Sequence, residues 1–160
     1  MLYLVIKMFH IVAVVMFLGN ITTGILWKEH ADGTKDPRVI LANLEGLIRS
    51  DRWFTIPGVI GIAFFGVLAA ILGHYPILRT GWILWAIILF IVSGIAFGQK
   101  VAPLQVKMAR LAKAGVESGS FDWDAYRRLS REWAIWGVVA LLAPLGALAL
   151  MVLKPPVPGL

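Results

Sequence analysis

The sequence predicts an all-α integral membrane protein: a bundle of four spanning helices, with a short cytoplasmic amphipathic helix between spans 1 and 2. Three observations carry this. Of 160 residues, 59% are hydrophobic and only 15% charged, whereas charged residues approach a quarter of a soluble domain. All nine acidic residues fall in two segments, roughly 28–52 and 100–132. Between and around those segments lie four apolar stretches, about 2–27, 53–74, 81–100 and 133–153, each close to the ~20 helical residues that cross a bilayer. The chain reads as a single four-span domain.

Charge also predicts sidedness. Of the 15 Lys and Arg, five lie in 28–52 and seven in 100–131, leaving Lys7, Arg79 and Lys154. Lys and Arg mark cytoplasmic loops, so loops 28–52 and 101–132 are expected inside and both termini outside. A net charge of +6 would suggest nucleic acid in a soluble protein; here sidedness explains it, and no nucleic-acid partner is expected. The absence of cysteine excludes disulfides, thiolate metal sites and a cysteine nucleophile.

Span 1 starts almost at the first residue, with no small-x-small cleavage site before a polar start, so a retained helix is expected rather than a signal peptide. At about 100° per residue, His10, Ala13, Phe17, Asn20 and Gly24 share one face. That stripe of polar and small groups is expected to face other helices.

Asp36-Pro37 reads as a helix N-cap with proline in the first turn. The helix it opens places Ile40, Leu44, Leu47 and Ile48 on one face. It suits either the cytoplasmic membrane surface or a connector packed on the bundle base. Span 2 carries Pro57 in its first turns, and Gly58, Gly61, Gly66, Ala69 and Gly73 along one side with Phe65. Such a stripe ordinarily lets another backbone approach, and otherwise lets a flat cofactor lie against the helix.

Span 3 begins at Trp82, and Gly94–Gly98 forms a small-xxx-small contact motif. Pro103 is expected to kink the chain before a basic helix, Leu104–Ala114, broken by Gly115 and Ser118-Gly119-Ser120. Asp122 can cap the helix that becomes span 4, with Pro144 inside it, and Lys154–Pro158 is a short extended tail. Trp27, Trp53, Trp133 and Trp136 fall at the inner ends of spans, and Tyr3, Tyr75, Trp82 and Trp85 at the outer ends, as interfacial belts require.

His10 is the residue with most chemical promise, because an ionisable group inside a span is costly and points first to function. Its depth, ~10 Å from the start of its helix, suits a b-type haem ligated by His10. His74 and Met151 reach the same outer side by topology, and imidazole and thioether are the usual haem ligands, so both are candidate partners. Phe17, Gly58 and Gly61 are further candidate cofactor contacts. The plain alternative is a neutral imidazole hydrogen-bonded within the bundle, a water-facing His74 and a solvated His30. Lys100 and Lys107 are expected to snorkel or bind lipid phosphate, and Glu132 to pair with Arg52 or Arg131. No phosphate-binding glycine loop or His-x-x-x-His pair is present. No carboxylate is expected inside a span, which counts against a proton- or cation-coupled transporter.

Four stretches, Lys7-Met8-Phe9-His10-Ile11, Asp51 to Gly58, Gly81-Trp82 and Pro103-Leu104-Gln105 with its basic helix, resemble a bacterial family of integral membrane proteins of unassigned function, over about residues 3–152. That family is similar in turn to the HemJ-type protoporphyrinogen oxidases, small four-helix proteins that bind b-type haem, and more remotely to copper-resistance D membrane domains. The parallels are Phe9-His10, Pro57-Gly58 and Gly81-Trp82, with Arg131-Glu132 a looser one. The resemblance implies a bacterial inner membrane and places His10 where the oxidases hold their haem-ligating histidine. It departs where their essential lysine follows the Gly-Trp pair, here Ile83-Leu84-Trp85-Ala86, and where a further histidine gives way to Ile95-Ala96-Phe97-Gly98. It therefore implies the fold and haem at His10, not protoporphyrinogen oxidation.

The leading expectation is a haem-binding redox protein passing electrons to a quinone or a partner protein. Its rival is a non-catalytic subunit or scaffold in a homo- or hetero-oligomer, docking a partner or anionic lipid. Metal handling, copper above all, through His10, Met8, Met16 and His74 is the third.

Overall fold

The computed structural model describes residues 1–160. It is all helix, with no strand: α1 (Leu2–Thr34), α2 (Pro37–Ser50), α3 (Ile56–Leu72), α4 (Gly81–Ala96), α5 (Ala102–Ser118) and α6 (Trp123–Leu153). Two π-helical turns, Asp51–Thr55 and Phe97–Val101, join α2 to α3 and α4 to α5 without a break. The chain thus forms four long rods, Leu2–Thr34, Pro37–Leu72, Gly81–Ser118 and Trp123–Leu153, each long and apolar enough to cross a membrane. It is a multi-pass membrane protein whose outward apolar side chains, such as Val15, Phe64 and Leu142, contact lipid.

This corrects the expected separate amphipathic helix. Residues 37–50 are the lower half of a 36-residue rod, and their apolar face is covered by protein: Ile40 and Leu44 are buried in the core that α5 and α6 share. The reason is local. Proline lacks an amide hydrogen and clashes with the carbonyl four residues back; for Pro57 and Pro103 those carbonyls belong to Trp53 and Gln99, inside the two π turns. Widening the helix by one residue absorbs each proline, so neither ends its rod.

The caps are as expected. Asp36 accepts from the Arg38 amide and Asp122 from the Ala125 amide, both at 2.9 Å. The break after α5 falls at Gly119, which takes a left-handed φ of 70°, and not at Gly115, which is buried within the helix.

The rods differ between their two ends. At the base, which carries residues 28–52 and 100–132, α2 packs on α5, with α1 and α6 closing the other sides. The main core lies there, around Ile40, Leu44, Leu104, Met108, Ala112, Tyr126 and Trp133. Toward the tip, which carries both termini, the bundle divides into two pairs, α1 with α3 and α4 with α6. No Cα of α3 comes within 8 Å of a Cα of α4. Beyond the pairs, the tail folds over the α3–α4 turn: the Leu160 amide donates to the Leu78 carbonyl at 2.8 Å and the Trp85 indole to the Pro158 carbonyl at 3.2 Å.

The α4–α6 pair does not use the Gly94–Gly98 motif. A Cβ on either glycine would meet nothing within 4 Å; α6 is met instead by buried Ala86 and by Ser93, whose Oγ donates to the Ala140 carbonyl at 2.7 Å.

Candidate functional site

Helix α1 meets the second rod along the face its periodicity marks out. Ala13 and Phe17 are buried. A Cβ on Gly58 would sit 3.1 Å from the Phe17 Cβ, and one on Gly61 would sit 3.0 Å from the Ala13 Cβ. Gly24 meets Leu47 lower down. The glycine stripe of α3 therefore receives the backbone of α1, which is the ordinary use of small residues in membrane helices. At Gly58 and Gly61 that face is filled by protein.

His10 ends this stripe toward the tip. Its ring is half-buried, with Nδ1 3.1 Å from the Ile62 carbonyl oxygen, and its Cε1 occupies the space a side chain on Gly66 would need, 2.9 Å from that Cβ position. The carbonyl can only accept, so Nδ1 carries the proton and donates, and the Nε2 lone pair is left free. A ligating histidine commonly shows this arrangement, its second nitrogen donating to a backbone carbonyl. Phe9 stacks on Phe65 with centroids 5.3 Å apart, and Phe17 meets Phe90 of α4 edge-on at 5.8 Å. The Phe17–Phe90 contact lies seven residues, or ~10 Å, below His10 along α1.

The other candidate ligands are not gathered onto His10. His74 lies eight residues beyond Gly66, ~12 Å nearer the tip, exposed, with a left-handed φ of 56°. Met151 is half-buried near the end of α6, the helix paired with α4. Met8 is 52% exposed. No cluster of three or more His, Asp or Glu is present that could hold a metal ion. His30 is exposed and meets Trp27 edge-on at 5.9 Å. Lys107 is exposed, while Lys100 lies over the Trp136 ring at 5.5 Å. Glu132 forms no ion pair; the two present are Lys28–Asp32 and Arg127–Asp124.

Two polar centres escape the sequence reading. The first is at the base. Lys28 is 3% exposed, and its Nζ donates to Asp32 Oδ2 at 2.6 Å and to Ser130 Oγ at 2.7 Å. It also lies over the rings of Tyr126 and Trp133, at 5.5 and 5.0 Å from their centroids. The Tyr126 hydroxyl donates to Asp32 Oδ1 at 2.5 Å. Trp133, expected in an interfacial belt, is buried instead.

The second centre lies midway along the rods. Asp51, which the sequence places just before span 2, is turned inward. Its Oδ1 accepts from Asn20 Nδ2 at 3.1 Å and from Thr55 Oγ1 at 2.7 Å. Asn20 also donates to Thr55 Oγ1 at 2.9 Å and accepts from Ser50. The π turn brings Asp51 and Thr55 into this cluster, and Thr55 is fully buried.

The comparison with curated proteins returns no match, and neither does the comparison with solved structures. A family model described as "Predicted integral membrane protein (DUF2269)" matches residues 4–155. With nearly the whole of its four-rod bundle inside that match, the chain belongs to the DUF2269 family of integral membrane proteins.

Proposed function

We propose that the protein is a membrane redox carrier that holds one b-type haem on His10 and exchanges electrons with a quinone or a partner protein in a bacterial inner membrane. One observation carries the reading: the Nδ1–Ile62 hydrogen bond fixes the imidazole tautomer that leaves Nε2 available to iron. The separation of α3 from α4 supports the same reading, as does the resemblance of Phe9-His10, Pro57-Gly58 and Gly81-Trp82 to motifs of haem-binding four-helix oxidases. A haem would be held by His10; neither His74 nor Met151 lies against that ring. A bound haem supplies a one-electron Fe(III)/Fe(II) couple. The chain's own groups then do three things. Ile62 orients the ligand, Gly66 leaves room for its ring, and Phe17 with Phe90 closes the gap below. The departures noted near Ile83 and Ile95 set this chain apart from the oxidases, so electron carriage is proposed rather than porphyrinogen oxidation. Loops 28–52 and 101–132 face the cytoplasm on this reading, by charge.

The test is an absorption spectrum of protein expressed with haem supplied and purified in detergent. The wild type shows a Soret band, with a sharp α-band on dithionite reduction. His10→Ala abolishes both while the protein remains folded, and Gly66→Ala, which displaces the imidazole, weakens haem retention. A colourless wild type overturns the proposal.

A second reading is a scaffold or subunit without a cofactor. It is favoured by the position of the core and the ion pair at the base, below exposed Arg38, Arg49, Lys107, Arg110 and Arg128. Such a surface attracts anionic lipid or an acidic partner. A colourless wild type that co-purifies with another protein, and tolerates His10→Ala, would establish it.

A further inference from the structure

The four rods are longer than the bilayer they cross. At 33, 36, 38 and 31 residues and ~1.5 Å per residue they measure ~46–57 Å, against ~30 Å of hydrocarbon. The register of the rods shows where the surplus lies. Asn20 of α1, Asp51 of the second rod, Val101 and Gln105 of the third and Trp133 of α6 line one small cavity, which fixes a level common to all four.

Exposed side chains change character at that level on every rod. Toward the tip they are apolar: Val15, Ile60, Ile95 and Val138 are each more than half exposed. The one charge within the rods there is Lys7, whose ammonium lies over the Tyr3 ring, one turn nearer the tip. Toward the base they are charged: Glu29 on α1, Arg49 on α2, Lys107 and Arg110 on α5, and Arg128 and Arg131 on α6 are all exposed. Tipward of the level the rods run over 2–20, 53–72, 81–99 and 134–153, each ~28–30 Å long, which is one hydrocarbon thickness.

The packing changes at the same level, an independent sign. Helices in lipid gain nothing by hiding apolar surface from it and associate through small residues, whereas helices in water are driven together by a large apolar core. The tipward pairs meet chiefly through Ala13, Gly58 and Gly61 and through Ala86 and Ser93. From the level to the base, Ile40, Leu44, Leu104, Met108 and Tyr126 form the main core.

We propose that the bilayer ends at the Asp51 level and that the base stands clear of it as a water-exposed helical head. The 14 residues of α2 make the head about 20 Å tall. At the boundary, exposed Arg52, Trp53 and Lys100, the last lying over Trp136, form a collar that meets lipid head groups. Leu26 and Trp27, 61% and 62% exposed, then leave span 1 and stand in water. Gly24 meets Leu47 and Lys28 meets Ser130, so lipid reaching Trp27 would also cover Arg49 and Lys107, which lie nearer the tip. Hydrocarbon excludes such charges.

The chain has no cysteine, so single cysteines report on this boundary without background. The full chain is placed in phosphatidylcholine–phosphatidylglycerol nanodiscs, open to solvent on both faces, and timed against a charged maleimide, with Ser120→Cys in the turn at the base as reference. Leu26→Cys, Trp27→Cys and Ala42→Cys react at the reference rate. Ile60→Cys, Ile95→Cys and Val138→Cys react more than about tenfold slower, since neither the reagent nor a thiolate enters hydrocarbon. All six side chains are exposed, so the substitutions leave the packing intact. Leu26→Cys and Trp27→Cys as slow as Ile60→Cys would overturn the proposal, and so would Ile60→Cys, Ile95→Cys or Val138→Cys at the reference rate.

Discussion

Asp32→Ala will destabilise the bundle more than any other single truncation of a charged side chain, by about 3–5 kcal/mol, the usual cost of leaving a buried charge without its partner. The carboxylate serves three donors at once, the third being the Ser130 hydroxyl at 3.1 Å. It accepts from Lys28 Nζ at 2.6 Å and from the Tyr126 hydroxyl at 2.5 Å. Without it, an ammonium whose side chain is only 4% exposed keeps one hydroxyl and two ring faces. Cation–π contacts offset about 0.5–2 kcal/mol of that loss, too little to replace an ion pair. The reverse change, Lys28→Met, costs less: the Asp32 side chain is 29% exposed and can turn to water, while the thioether chain still fills the space between the rings. The double variant, with Lys28→Met added to Asp32→Ala, recovers much of the lost stability because no charge stays buried alone. Denaturant unfolding of the four proteins in one detergent completes the cycle. If Asp32→Ala costs less than about 1 kcal/mol, the pair is no more than a surface ion pair.

How far the sequence alone reached follows from the range of the interactions concerned. The Asp36 and Asp122 caps were legible because each is settled within three residues. The inward stripe of α1 was legible because a 3.6-residue period is written into His10, Ala13, Phe17, Asn20 and Gly24, and the α3 glycines were read correctly as a surface for close approach. The continuity of the rods was not legible: a proline after a polar stretch reads as a boundary, and only the structure shows that a π turn absorbs it. Lys28 and Asp51 both fall in the segment 28–52 that charge marks as a cytoplasmic loop. Lys28 meets Ser130, 102 residues away, and Asp51 meets Asn20, 31 residues away, so no local pattern marks either as buried. Asn20, inside an apolar span, was the available signal that some polar partner had to come to it. At the His10 site the sequence supplied the ligand candidate and its depth, while the Ile62 carbonyl that fixes its tautomer is a backbone group that no side-chain motif can announce.

The same limit governs glycine, and there it yields a second large effect. Gly58→Leu will separate α1 from the second rod, whereas Gly98→Leu will leave the fold intact or slightly more stable, although both residues belong to small-residue stripes. At Gly58 the first added carbon lies 3.1 Å from the Phe17 Cβ, 3.4 Å from its Cα and 3.5 Å from the Ala13 carbonyl oxygen. Two of those atoms are backbone, which no rotamer change can move aside, so the larger side chain must push the whole helix. Overpacking of this kind costs about 1–3 kcal/mol or more. The effect travels along the stripe, since the Gly61–Ala13 contact, the His10–Ile62 hydrogen bond and the Asn20 cluster share the same interface. At Gly98 nothing lies within 4 Å, and replacing glycine in a helix recovers ~0.5–1 kcal/mol of backbone entropy. Thermal unfolding in detergent will therefore show opposite signs at the two positions, and a fall in Tm at Gly98 as large as that at Gly58 would mean that the α1–α3 seam is not where the bundle is held.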